Sequence, residues 1–168
     1  MSSLIEKRLS YSFCSQSPPQ KSHNHLELEG SEFFEETDSV LGKTWDELDA
    51  VVFETNSRVF SFLPAPARSY YFGAMLYLSH SQNEKWCMAL DMLIGTLVVQ
   101  PLTNSSLQRS IYFKMLNEFN KEQLDVVVDY FDEIANSCLV EERGMFQKAK
   151  RLTLMHESMS DVSAYESK

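Results

Sequence analysis

Residues 121–138, KEQLDVVVDYFDEIANSC, carry the clearest helical pattern in the chain and decide its fold class. At about 100° per residue, the apolar side chains collect on one side of a helix. The acidic side chains fall on an opposite arc of roughly 100°, and this arc continues back to Glu118. The apolar set is Leu124, Val127, Val128, Phe131, Ile134 and Ala135, and the acidic set is Glu118, Glu122, Asp125, Asp129, Asp132 and Glu133. This pattern predicts an amphipathic helix, and Asn120 is placed to cap its start.

Similar patterns fill most of the remaining chain. Candidate helical segments lie at 2–13, 32–41, one that starts at Thr44, 67–80, 84–99, 112–119 and 140–156. Alternating apolar and polar residues never continue for more than a few positions, so the sequence predicts no sheet. We therefore predict an all-α fold, with a single compact domain of six or seven helices over residues 1–157. Residues 158–168 are polar and are predicted to form a flexible C-terminal tail.

Local signals mark the ends and the centre of this domain. Thr44 and Glu47 have the spacing of a capping box, and Gly42 is suited to the position after a helix end. The helix at 67–80 is apolar on every side, which is typical of a helix in the middle of a domain. Its aromatic residues 70–72, together with Tyr77, fit core packing better than the lining of a cofactor pocket.

Negative charge is concentrated in one part of the chain. The 168 residues have a formal net charge of -9. The window from Glu27 to Asp49 holds nine acidic residues and one base, Lys43. Such a block favours a surface that meets a basic partner. Because the Lys and Arg residues are scattered, we expect no nucleic-acid binding.

The compartment is predicted from the cysteines and from the apolar runs. Cys14, Cys87 and Cys138 are odd in number and widely spaced, which indicates reduced thiols in a cytoplasmic protein. The first ten residues lack the apolar core of a signal peptide. The apolar runs are too short to span a bilayer, so we expect no membrane association.

Two groups of residues raise the alternative of a metal-binding protein or an enzyme that uses helix carboxylates. His23 and His25, with Glu27 and Glu29 close by, have ligand chemistry but lack a distant further ligand. A polar loop beside Pro18-Pro19 explains them equally simply. The acidic arc of 121–138 has no interleaved His, unlike the carboxylate bundles that hold two metal ions, so a solvated face or a partner contact is favoured. No cofactor is expected.

Asp91 is the most unusual single residue of the chain. It lies among Met88, Leu90, Met92 and Leu93, where an unpaired carboxylate would be unfavourable. Arg68 of the preceding helix is a possible partner. A structural ion pair is favoured over catalysis, since no nucleophile, base or metal set can be assembled around Asp91.

Three segments carry a resemblance to a family. They are Trp45-Asp46-Glu47-Leu48, the run from Phe62 to Tyr71, and Glu122-Gln123 followed by Val127 and Tyr130-Phe131. In these segments the chain resembles an uncharacterised bacterial family of small acidic all-α proteins with W-x-x-L and F-L-x-x-x-A-x-x-Y-Y motifs. The resemblance covers roughly residues 3–137. It implies an all-α fold and provides no catalytic residues.

These observations predict a non-catalytic cytoplasmic binding protein. The most concrete hypothesis is an immunity protein that neutralises a basic toxin by occluding it, because toxins that act on nucleic acids are often basic. Acidic side chains would steer the association. The residues predicted to contact the partner are Glu32, Glu35, Glu36, Asp38, Asp46 and Glu47. The alternatives are a solvated surface that only confers solubility, and a regulatory adaptor subunit that uses the face of helix 121–138.

Overall fold

The structure is a computed structural model that describes residues 3–14, 17–21, 32–82, 88–95, 110–137 and 140–166. Within these ranges it does not describe the side chains at 32–33, 65–66, 88, 91, 94–95, 140–142 and 157–166. The described residues contain no strand, and this confirms the prediction of an all-α fold. No helix among them combines the length and the apolar character needed to cross a membrane.

Helices of very different length follow one another along the chain. They are α1 (Leu4–Phe13), α2 (Glu32–Asp38), a 3-10 turn (Trp45–Glu47), α3 (Val51–Thr55), α4 (Val59–Phe62), α5 (Ala65–Ser81), α6 (Met88–Gly95), α7 (Ile111–Leu116), α8 (Lys121–Ser137) and α9 (Val140–Glu166). The described part of the chain therefore has more helical segments than the six or seven predicted. Part of the difference lies between residues 44 and 62, where the chain forms a 3-10 turn and two short helices instead of the single helix predicted to start at Thr44. Periodicity cannot reveal helices this short.

Several helix ends differ from the prediction. α2 ends at Asp38 rather than Leu41, and a turn follows before Gly42, whose φ of 84° lies in the left-handed region. The helix predicted at 84–99 is described only as α6, since 83–87 and 96–109 are outside the described residues. α9 continues ten residues beyond His156, so the predicted tail 158–168 has a helical backbone up to Glu166.

The two best-defined helix starts use reciprocal side-chain caps. Asn120 Oδ1 accepts from the N–H of Gln123 (2.9 Å), and Gln123 Oε1 accepts from the N–H of Asn120 (3.0 Å). Ser3 and Glu6 form the same arrangement at the start of α1 (3.1 and 2.9 Å). Each pair satisfies backbone donors that the first helical turn leaves without a partner. The cap predicted at Asn120 is confirmed.

The core is built around α5, which packs against α1 and α7. Every residue from Ala67 to Leu76 is buried except Arg68, which is half-buried. The prediction of a central helix is confirmed, and so is core packing of Tyr70, Tyr71 and Phe72. α8 packs against both α1 and α9, and α1 therefore lies between the two long helices α5 and α8. At Gly73, α5 lies very close to α1, because a Cβ built there would lie 2.5 Å from Phe13 Cβ.

His80 connects three helices near the end of α5. Its Nδ1 lies 2.9 Å from Glu6 Oε1 in α1, and its Nε2 lies 3.0 Å from Glu133 Oε1 in α8. Carboxylates only accept, so both contacts are hydrogen bonds when both ring nitrogens carry a proton. Burial opposes ionisation of Glu6, but the bonds from His80 and from the Ser3 N–H outweigh it and hold the pKa of Glu6 below its usual value.

We expect His80→Ala to lower the free energy of unfolding by about 2 kcal/mol, because it removes the contact with Glu133 and leaves the half-buried Glu6 without its side-chain hydrogen-bond partner. Urea denaturation at pH 7 measures this loss. Lys121→Ala is the control, since it removes an exposed contact with Asp125 (2.8 Å), for which we expect less than about 0.5 kcal/mol. Equal losses in the two variants would contradict a structural role of His80.

Candidate interaction surface

The acidic block predicted from the sequence is divided by the fold into paired and unpaired carboxylates. Glu36 Oε1 lies 3.6 Å from Arg58 Nε, and only 15% of its side chain is exposed. Asp38 forms an ion pair with Lys21. Both belong to the predicted partner-binding set, and their charges are largely matched within the chain. They are therefore poorly suited to attract a partner.

The other predicted residues have different environments. Glu35, Asp46 and Glu47 are exposed and form no ion pair with any described residue. Glu32 begins α2, and its side chain is not described. The prediction at His23 and His25, together with Glu27 and Glu29, lies outside the described residues.

Asp46 and Glu47 lie on a turn that is fixed by the capping residues predicted from the sequence. Glu47 Oε2 accepts from the backbone N–H of Thr44 (2.7 Å) and from its hydroxyl (2.7 Å). These bonds stabilise a single 3-10 turn rather than an α-helix. Trp45, which lies between Thr44 and Glu47 in the sequence, is buried and holds the turn against α5. Its ring is 5.4 Å from that of Tyr77. The two carboxylates are therefore held at the surface by a buried anchor.

Thr44 lowers the pKa of both carboxylates of this turn. The Thr44 side chain lowers the pKa of Asp46. The backbone N–H of Thr44, followed by its hydroxyl, lowers the pKa of Glu47. Donors favour the charged form of an acid, so these hydrogen bonds favour the doubly negative state of the turn.

This surface continues into α3, which the sequence did not predict. Asp49 is exposed, and its Oδ1 accepts from the N–H of Val52 at the start of α3 (3.2 Å). Val51 has 59% of its surface exposed, and Glu54 is exposed on the same short helix. No Lys or Arg occurs between residues 46 and 54. We call residues 46–54 the acidic segment. The absence of Lys and Arg from this segment is visible in the sequence, but the exposure of Val51 is not.

The acidic arc of α8 differs from the acidic segment in its partners. Asp125 contacts Lys121 of the same helix, Asp129 pairs with Arg8 of α1, and Asp132 pairs with Lys150 of α9. Glu133 contacts His80. The arc is thus exposed, but three of its carboxylates are paired with cations of α1, of α9 and of α8 itself. No group of three or more His, Cys, Asp or Glu residues with a metal-binding arrangement occurs in the described part of the chain.

Glu118 does not belong to the exposed arc, and its assignment there was wrong. It lies before α8, where the chain turns, so the helical wheel of α8 does not extend to it. Its Oε1 is 3.9 Å from Arg68 Nη1, and its Oε2 is buried without a hydrogen-bond partner. Burial raises the pKa of Glu118 to about 7, against the opposing effects of Arg68 and of the Ser69 backbone. Arg68 was predicted to pair with Asp91, whose side chain is not described.

Two of the three cysteines, Cys87 and Cys138, lie outside the described residues. Cys14 follows α1 as an exposed free thiol. Burial, followed by the charge of Asp46, raises the pKa of Cys14, which lowers its nucleophilicity near neutral pH. Nothing in this environment resembles an activated cysteine.

No protein-family model, curated protein or solved structure matches the chain. The resemblance to a bacterial family therefore stays a prediction.

Proposed function

We propose that the protein is a non-catalytic binding protein whose acidic segment receives a basic protein partner, and that it acts as an immunity protein that occludes a basic toxin. One observation carries the proposal: Asp46, Glu47 and Asp49 form no ion pair with any described residue, whereas three carboxylates of the α8 arc each pair with a Lys or an Arg. Charges that the fold leaves unmatched remain available to a partner, and they would accelerate its association.

The shape of the segment supports contact as well as steering. Val51 is an exposed apolar side chain with acidic residues on both sides of it in the sequence. An apolar contact surrounded by charges is the usual arrangement of a protein interface, where the centre excludes water and the charged rim sets the approach. The buried anchors Trp45, Leu48 and Phe53 hold the backbone beneath it, so little conformational freedom would be lost on binding.

The proposal is tested with charge-neutral variants that keep the hydrogen-bond acceptors. The double variant Asp46→Asn and Asp49→Asn removes two charges of the segment, and Asn keeps the side-chain oxygen that accepts from the Val52 N–H. The matched control is Glu122→Gln with Asp125→Asn on α8, because it changes the net charge equally at exposed positions. Both variants are compared with the unmodified chain.

The measurement is the association rate, by biolayer interferometry, with the basic proteins that a cation exchanger retains from the host cell. We expect a saturable complex whose association rate falls at least about tenfold between low and moderate salt. The segment variant should associate about three- to tenfold more slowly at low salt, and the α8 control should match the unmodified chain. Equal rates for both variants, or the absence of any saturable complex, would overturn the proposal.

A further inference from the structure

A cleft of about 590 Å³ runs along α9, away from the acidic segment in sequence. Its described lining consists of Gly144, Gln147, Lys148, Arg151, Leu152 and Met155. The positions 144, 148, 151 and 155 repeat at the spacing of one helix face, so the cleft follows this face for three turns. Leu152 is buried and Met155 is half-buried, and they form an apolar floor.

The two cations that line the cleft have no acidic partner. Within the described ranges, neither Lys148 nor Arg151 forms an ion pair or a side-chain hydrogen bond. The neighbouring bases of α9 are occupied, since Lys150 pairs with Asp132 and Arg143 Nε donates to the carbonyl of Ala135 (3.0 Å). Two unmatched cations side by side are unexpected in a chain with a net charge of -9.

Lys148 is half-buried, and this has a consequence for ligand binding. Burial lowers the pKa of Lys148, because its ammonium group has lost water without gaining a counter-ion. An anion placed in the cleft would restore the missing interaction. The space beside Gly144, at one end of the cleft, is open, since a Cβ built there would meet no atom within 4 Å.

We propose that this cleft binds a small amphipathic anion, with a carboxylate or phosphate head between Lys148 and Arg151 and an apolar body on Leu152 and Met155. The cations and the apolar floor suit different parts of a single ligand. The apolar floor offers nothing to a bare inorganic anion, and the two cations offer nothing to a neutral alkyl chain. The proposal is independent of the acidic segment.

Isothermal titration with four probes tests the ligand class. Decanoate and decyl phosphate carry both parts of the proposed ligand, with the two possible head groups. Decanol carries only the apolar body, and inorganic phosphate carries only the anion. We expect one molecule of decanoate or decyl phosphate per chain, and binding at least about tenfold weaker for decanol and for inorganic phosphate. The head group that binds more tightly identifies the carboxylate or the phosphate as the natural one.

Variants locate the binding in the cleft. Lys148→Gln and Arg151→Gln should each weaken decanoate binding by about tenfold, and Gly144→Met should block the open end of the cleft. Lys150→Gln is the matched control, because it removes the same charge two residues away outside the lining. Circular dichroism checks that each variant keeps its helix content. Decanol binding as tightly as decanoate, equal weakening by Lys148→Gln and Lys150→Gln, or no binding of either anionic probe would overturn the proposal.

Discussion

Replacement of Gly73 by alanine is expected to lower the free energy of unfolding by about 2–3 kcal/mol, although alanine is the better helix former. The new Cβ would lie 2.5 Å from both Cβ and Cγ of Phe13. Phe13 Cβ is fixed to its backbone and cannot rotate away, so α1 and α5 would have to separate. Their separation would disturb the close packing of the core, where Phe13 is 1% exposed and its ring lies 5.3 Å from that of Phe119.

Gly144→Ala is the matched control for this prediction. Gly144 is also a helical glycine, but a Cβ there meets no atom within 4 Å. Alanine should therefore stabilise the protein by about 0.5–1 kcal/mol through its lower conformational entropy in the unfolded chain. Urea denaturation of both variants measures the two effects. The same sign for both substitutions would show that the contact between Gly73 and Phe13 does not limit the packing of α1 on α5.

The second large effect is a pH dependence that Glu118 imposes on stability. Burial raises the pKa of Glu118 to about 7 in the folded protein, from a usual value of 4.5. The folded state therefore binds the proton more tightly than the unfolded state. The stability that this provides is complete below pH 4.5, is lost as the pH rises towards 7, and changes no further above it. With an allowance for partial exposure, the loss amounts to about 2–3 kcal/mol.

Glu118→Gln should remove this loss. Gln does not titrate, so its free energy of unfolding should fall less than that of the unmodified chain between pH 4.5 and 7.5. Gln has the shape of the protonated Glu118 side chain, so the variant keeps the uncharged neighbour that Arg68 has at low pH. The measurement is a series of urea denaturations across this range. Asp125→Asn on the exposed arc is the control and should keep the original slope. Parallel curves for the unmodified chain and Glu118→Gln would refute the prediction.

The candidate surface shows what the sequence could predict and where it failed. The sequence located the acidic block and the capping residues Thr44 and Glu47, because charge and helix capping are properties of neighbouring residues. The sequence could not show that Asp38 is paired and Asp46 is not, because both are acidic and lie only eight positions apart. Only Asp38 has a cation beside it, and that cation, Lys21, is distant in the sequence.

The acidic arc of α8 failed as a candidate for the same reason. Its pattern was predicted correctly, but its availability depends on Arg8, Lys150 and His80, which belong to three other helices. Arg8 is 121 residues from Asp129. Helical periodicity contains no information on such pairs, since it describes only which residues share a face. The prediction placed Glu118 on the exposed arc because the helical wheel of α8 was continued through the turn that precedes this helix.

The sequence by itself determined the all-α class, the cap of α8 and the central position of α5, because each depends on residues within a few turns of one helix. The tertiary structure alone decided which carboxylates keep an unmatched charge, which buried acid has a raised pKa, and where α9 leaves two cations beside an open cleft. Those properties depend on which side chains from distant parts of the chain meet, and on how much water remains around them.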